Sequence, residues 1–194
     1  MELFGTARSH FTRKIRLLLD HLQYEYEFLD IGDVSQIEFK NFQFNPSLSV
    51  PVFKDKGQVI YDSDNIAAYI VRNYDEQDRY GVLTQDIKIL NARAIINSAM
   101  SAEVRLILAE RTGIETENIA YFDKARAVIF NCLQWCEENV DLFQSKDLSY
   151  LTFHLISFWD HVHFYSLAGG HWPSLQEIIN YFHGFPEVKA SAIS

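Results

Sequence analysis

Residues 2–4 form a short apolar run that reads as a first strand halted by Gly5. A polar turn follows, and Ser9 stands where a helix N-cap belongs. Phe11, Ile15, Leu18, Leu19 and Leu22 then recur at helical spacing, while Arg13, Lys14, Arg16 and Asp20 take other faces. Residues 24–31 alternate well enough for a second strand. Residues 34–44 read as an irregular amphipathic helix. Asn45-Pro46 stops it, because the residue before a proline is pushed out of the helical region. Val50-Pro51-Val52-Phe53 and Val59-Ile60-Tyr61 are β-rich runs on either side of Gly57, a hairpin pattern. Ser63 caps the next helix, whose apolar stripe is Ile66, Ala67, Ile70 and Tyr74. The predicted order is β-α-β-α-β-β-α.

Residues 75–86 are polar and turn-rich, the composition of a domain boundary. The pattern therefore predicts an α/β domain over residues 1–75, a linker over 76–86 and an all-helical domain over 87–194. A long helix runs from about residue 84 to 111 and is closed by Gly113. A second carries Ala125, Val128, Ile129, Cys132 and Cys136. A third carries Leu151, Leu155, Phe158, Trp159, Val162 and Tyr165 and stops at Gly169-Gly170. In the last, Ser174 and Glu177 have capping-box spacing, and Gly184 and Pro186 end the segment. No internal repeat or low-complexity tract interrupts this order.

Composition narrows the function classes. Hydrophobic residues make up 48% of the 194-residue chain and charged residues 22%, a globular balance with aromatics enough for a sizeable core. The formal charge of −9 and the lack of a long basic run argue against a phosphate-driven nucleic-acid binder. Cys132 and Cys136, the only cysteines, share one helix face at i, i+4 and read as buried neighbours rather than a disulfide or zinc framework. The opening MELFGTARS has no apolar signal core, and the apolar stretch around residues 148–159 is broken by His154 and too short to span a bilayer. A cytoplasmic protein with no membrane association is the expectation.

Three stretches, taken in order, carry a family resemblance. ARSHFTRKIRLLLDHLQYEYEFLDI resembles the strand, active-site turn, first helix and second strand that open the soluble glutathione transferases. NPSLSVPVFKDKGQVIYDSDNIAAYI resembles that family's Asn-Pro turn, its Val-Pro before the third strand and its acidic-Ser pair before the next helix. WPSLQEIINYFHGFPEVKAS is similar to the last helix of the family, flanked by prolines. The resemblance implies a thioredoxin-like domain joined to a helical one, with glutathione as co-substrate, no metal, a small electrophilic substrate and a homodimeric assembly.

The resemblance also implies site residues. Ser9 falls where the family places its catalytic Ser or Cys. A hydroxyl donor there favours the glutathione thiolate over the thiol, and the helix N-terminus adds a partial positive charge. The alternative is that Ser9 is only an N-cap, worth about 1 kcal/mol to the helix. A Ser disfavours thiol–disulfide exchange, since a hydroxyl forms no mixed disulfide. Val50-Pro51 resembles the family's cis peptide, which would turn the Val50 backbone outward to pair with glutathione like an added strand. Asp62 and Ser63 match the family's pair for the γ-glutamyl end of the peptide, at a helix start suited to a carboxylate. Ser49 stands where the family often has a long side chain, and Leu48 where it has glycine. His10 replaces a common proline, and Ser149-x-x-Thr152 lacks the usual acidic member of its capping box.

Two further clusters are read from the residues. His154, His161 and His163 lie near Asp160, but positions 161 and 163 of a helix point about 200° apart, so a shared metal ion is disfavoured. Arg8, Arg13, Lys14 and Arg16 either steer an anion toward Ser9 or form a solvated helix face. The expected function is glutathione conjugation, with the thiol activated by Ser9 and the peptide held by Ser49, Val50, Pro51, Asp62 and Ser63. The electrophile is expected against the long helix near residues 94–105. The rival readings are a non-enzymatic relative serving interaction or stress response, and a glutathione-dependent isomerase.

Overall fold

The computed structural model describes residues 1–35, 38–43 and 45–193. Its first half is β1 (Glu2–Gly5), α1 (His10–Leu22), β2 (Glu27–Asp30), β3 (Val52–Asp55), β4 (Gln58–Tyr61) and α2 (Ser63–Tyr74). Its second half is α3 (Ile87–Arg111), α4 (Ala120–Glu138), α5 (Tyr150–Phe164), α6 (Pro173–Phe182) and the short α7 (Pro186–Ala190). The fold is a thioredoxin-like α/β domain followed by a helical one. Among the described residues no helix is long and apolar enough to cross a membrane.

The four strands lie in the order β2-β1-β3-β4. β1 and β2 are parallel, pairing Leu3 with Phe28, as the crossover through α1 requires. β3 joins β1 antiparallel, with Phe53 opposite Leu3, and β4 closes the hairpin. One hydrophobic cluster runs from Leu3 and Phe53 through Ile15 and Leu18 of α1 to Phe153 and Phe158 of α5. α1 therefore has two buried faces, one against the sheet and one against the helical domain.

That second face overturns one expectation. Arg13 and Lys14, expected on an anion-steering or solvated face, are 1% and 0% exposed. Each meets its charge partner across the fold: Arg13 meets Asp160 of α5 at 2.6 Å, and Lys14 meets Asp64 of α2 at 3.3 Å. Helical periodicity distinguishes faces, but a charge faces solvent only where nothing packs against it.

Other corrections are local. β2 is shorter than expected, and the described part of the 34–44 segment is a single 3₁₀ turn, Phe39–Phe42, rather than an α-helix. Residues 36, 37 and 44 of that segment lie outside the described residues. Asp62, not Ser63, caps α2, accepting the Asp64 and Asn65 N–H groups at 3.0 and 3.1 Å. The Ser174–Glu177 capping box does not form. Trp172 is the N-cap of α6, Pro173 opens the helix, and the Glu137 carboxylate accepts the Ser174 and Leu175 N–H groups at 2.9 Å each. At α5 the box survives the loss of its acid, because the Thr152 hydroxyl accepts the Ser149 N–H at 2.8 Å. Cys132 and Cys136 are buried in α4.

Candidate active site

A cavity of about 230 Å³ opens between the two halves of the chain. Ser9, His10 and Phe11 line it from the start of α1, and Leu48, Ser49 and Val50 from the loop before β3. The far wall is Ser101, Val104, Leu108 and Arg111 of α3 with His161 and Tyr165 of α5. The lining is mostly apolar with a few polar groups, the usual make-up of a small-molecule site. The contribution of α3 is centred further toward its C-terminus than residues 94–105.

Ser9 is placed by a close approach of strand and helix. A Cβ on Gly5 would lie 2.4 Å from the Thr12 side chain, so only glycine lets the end of β1 pass beneath the first turn of α1. Ser9 has extended backbone angles, and its Oγ accepts the Thr12 N–H at 3.2 Å. Capping uses a lone pair and leaves the hydroxyl proton to donate. The N-cap and thiolate-donor roles are therefore compatible at one oxygen.

The loop before β3 is organised by Asn45. Its side chain donates to the Ser49 carbonyl at 2.9 Å and accepts from the Ser47 N–H and hydroxyl at 3.1 and 2.8 Å. Ser47 and Ser49 share a hydrogen bond of 2.6 Å. Leu48 has φ +48°, the backbone region that favours glycine, where the resembled family has one. The Val50-Pro51 peptide is cis. Among the described residues, neither the N–H nor the C=O of Val50 has a hydrogen-bond partner.

The sequence-predicted residues thus divide. Ser9, Ser49 and Val50 share the cavity, whereas Pro51, Asp62 and Ser63 are not part of its lining. Asp62 is exposed at φ +70°, ψ +130°, a sparsely populated conformation held between β4 and the cap it makes. Ser63 is buried at the first position of α2, and its backbone N–H is unpartnered among the described residues.

Two polar clusters were missed from the sequence. Asp64 accepts hydrogen bonds from Asn97 at 2.7 Å, Tyr150 at 2.8 Å and Lys14 at 3.3 Å, and lies 3.3 Å from His154. Burial works against its charge, but His154, Lys14 and Tyr150 outweigh burial and hold its carboxyl well below the usual range. Burial pushes Lys14 down to about 8 against the pull of Asp64, and pushes His154, beside the Lys14 charge, down to about 4. This network ties α1 and α2 to α3 and α5 behind the cavity.

The second cluster is Glu103 with His10 and His161. Glu103 is fully buried on α3, and its Oε2 is hydrogen-bonded to His161 Nδ1. His10 Nε2 donates to the Met100 carbonyl at 2.9 Å, which leaves His10 Nδ1 as the unprotonated nitrogen. Ligand-type atoms of the three residues lie within 4.8 Å of one another. The His10 and His161 rings, however, stack 4.0 Å apart at 24°. Their in-plane lone pairs lie in two nearly parallel layers rather than aimed at one point, unlike a metal site. His163, considered with His161 in the sequence, stacks instead on Trp159 at 4.2 Å. The missed signal was Glu103 itself, an acid among Ala99, Met100, Ala102 and Leu106 on the buried face of α3.

Residues 3–78 match the glutathione S-transferase N-terminal domain family. Over 75 residues the chain is 33% identical to glutathione S-transferase hmp2 of Hypomyces subiculosus. That alignment covers 39% of the chain and 35% of the relative, so the chain spans about a third of the curated relative it matches. A solved glutathione S-transferase from Methylobacillus flagellatus with glutathione bound superposes with TM-score 0.82 at 15% identity, covering 100% of this chain and 99% of that one. A glutathione transferase family member from Pseudomonas fluorescens, also with glutathione bound, gives TM-score 0.81 at 20% identity, covering 100% and 98%. Maleyl pyruvate isomerase, a bacterial glutathione S-transferase of the Zeta class, gives 0.78 at 16%, covering 99% and 96%. The match over residues 3–78 is to the N-terminal domain of the glutathione S-transferases, and the whole chain shares the two-domain fold of these solved structures.

Proposed function

We propose that the protein is a glutathione transferase that joins the glutathione thiolate to small electrophiles held between its domains. The observation that carries this reading is the unpartnered Val50 backbone beside Ser9 in one cavity. An open N–H and C=O pair two residues before β3 suits an extended peptide added edge-on, with its cysteinyl sulfur directed toward the Ser9 hydroxyl. Ser9 would donate to the thiolate, and the N-terminus of α1 would add its partial positive charge. Ser49 and Pro51 flank Val50. The Ser63 hydroxyl and its open N–H at the start of α2 suit the γ-glutamyl carboxylate, and Asp62 would approach the α-ammonium. The bound glutathione in the two solved structures named above supports the same assignment. The apolar part of the cavity between α1 and α3 would take the electrophile. Homodimer formation and a cytoplasmic location belong to the same reading.

Calorimetric titration with glutathione tests it. We expect binding that weakens about tenfold in Ser63→Ala, the loss of roughly one hydrogen bond to a charged group. No detectable binding at millimolar glutathione would overturn the enzyme reading in favour of an interaction protein that keeps the fold.

A further inference from the structure

We propose that Glu103 and His161 form a proton-donating pair in the cavity wall, acting on electrophiles that develop negative charge on an oxygen as the thiolate adds. Enones and quinones are the substrate class. The inference rests on the glutathione transferase reading and goes beyond it by assigning chemistry to the second substrate's side of the cavity.

The geometry comes first. His161 lines the cavity, and its Nδ1 is committed to the buried Glu103 carboxyl behind it. Its other ring nitrogen, Nε2, has no hydrogen-bond partner among the described residues. Glu103 Oε1 is buried and unpartnered as well. A structural acid in an apolar helix face would be expected to satisfy both oxygens, because an unpaired buried polar atom costs about 1–3 kcal/mol. An apolar residue at position 103 would avoid that cost. Keeping an under-satisfied acid one hydrogen bond behind a cavity residue is the arrangement expected where protons move.

The proton inventory agrees. Burial raises the Glu103 carboxyl well above the usual carboxylate range. Burial, with the charges of Arg111 and Arg13, pushes His161 down to about 3. The resting pair is then a carboxylic acid and a neutral imidazole. The Glu103 O–H donates to His161 Nδ1, so Nε2 carries the ring proton and is the donor available to the cavity. His10, neutral and stacked on His161, adds no charge to the pair. Arg111 lines the same cavity, and its guanidinium suits an electron-rich oxygen.

The step balances. The thiolate forms an S–C bond at the β-carbon of the enone, and the C=C π pair shifts onto the carbonyl oxygen. That oxygen takes the Nε2 proton of His161, and the Glu103 proton moves to Nδ1. The products are an enol adduct and a Glu103 carboxylate hydrogen-bonded to the opposite imidazole tautomer. A solvent proton, equal in number to the one glutathione released on ionising, enters at Nε2, and the Nδ1 proton returns to Glu103, restoring the pair. The enol reverts to the ketone after release.

The test compares two electrophiles on the full chain. One is 4-phenyl-3-buten-2-one, an enone. The other is 1-chloro-2,4-dinitrobenzene, which loses chloride and needs no proton on oxygen. In His161→Phe the ratio of enone to chlorodinitrobenzene kcat/KM is expected to fall about 100-fold, the usual contribution of a general acid. Glu103→Gln still offers an N–H to Nδ1 but holds no transferable acid proton, and it should lower the same ratio. The solvent deuterium isotope effect on enone turnover should collapse in both variants, which a purely structural role would not produce. An unchanged ratio, or both substrates falling together with the isotope effect intact, overturns the proposal. Glutathione binding by the wild type, read separately by calorimetry, distinguishes this failure from failure of the transferase reading, since a wild type that binds no glutathione removes both.

Discussion

Arg13 of α1 donates through Nη1 to Asp160 of α5 at 2.6 Å, and its other nitrogens reach Ser191 Oγ and the Val188 carbonyl at 3.2 Å each. One buried guanidinium thereby joins the thioredoxin-like domain to α5 and to the C-terminal segment after α6. Deleting one member of such a pair strands the other charge away from water. Arg13→Leu is expected to destabilise the protein by about 3–5 kcal/mol, read as a fall in the urea midpoint. A loss below about 1 kcal/mol would show that His183, 2.9 Å from Asp160, suffices as its partner.

His154 makes stability pH-dependent between about pH 4 and 6.5. Its folded pKa of about 4 lies below the ordinary 6.5 of the unfolded chain. Between those values the unfolded chain binds a proton that the folded protein refuses, so stability falls as the pH drops from 6.5 toward 4. The contribution of this residue is about 3 kcal/mol by the lower limit. Urea midpoints at neutral pH and near pH 5 should converge in His154→Gln relative to wild type. An unchanged difference between the two pH values would assign the acid sensitivity elsewhere.

Ser9 carries two separable effects. Ser9→Ala should raise the pKa of the bound glutathione thiol, measured by thiolate absorbance against pH, and slow conjugation about 100-fold, as removal of one transition-state donor does. Affinity for glutathione should hardly move. The lost helix cap should appear independently as about 1 kcal/mol of stability. A large affinity loss with no change in thiol pKa would make Ser9 a binding residue only.

Glu137 caps a helix from another element. Its carboxylate accepts two backbone N–H groups at the start of α6; burial works against its charge, but the Ser174 side chain and these two N–H groups hold its pKa below the usual value. Glu137→Ala should cost about 1–2 kcal/mol, with faster amide exchange confined to the first turn of α6. Protection unchanged at Ser174 and Leu175 would show that Pro173 alone sets that helix start.

What could be read from the chain follows range. The apolar spacing of Ile15, Leu18 and Leu19, the turn at Gly57 and the start of α1 at Ser9 are near-neighbour signals, and the structure contains each of them. The order of the strands, of α1 and α2 and of the helical half followed from the same signals, and so did the fold class. The expected helix over residues 34–44 did not, because an irregular apolar pattern without a clean cap does not separate an α-helix from a 3₁₀ turn.

The candidate site was legible only along its nearer edge. Ser9, Ser49 and Val50 sit in motifs a few residues long, and the fold brings them into one cavity. Glu103, His161 and Asp64 sit in no motif. Their partners lie 58 positions away in the first case, Glu103 to His161, and 86 in the second, Asp64 to Tyr150.

By itself, then, the sequence determined the order of the four strands with α1 and α2, the helical second half and the placement of a hydroxyl at the head of α1. Periodicity and capping act within one or two turns, so they survive in a one-dimensional reading. Tertiary structure alone decided that Arg13 and Lys14 turn inward, that Glu137 rather than Glu177 caps α6, and that Glu103 stands behind His161 at the cavity. Those outcomes depend on which surfaces meet. A charge or a carboxyl takes the role its desolvated neighbours allow, and those neighbours come from parts of the chain that only folding brings together.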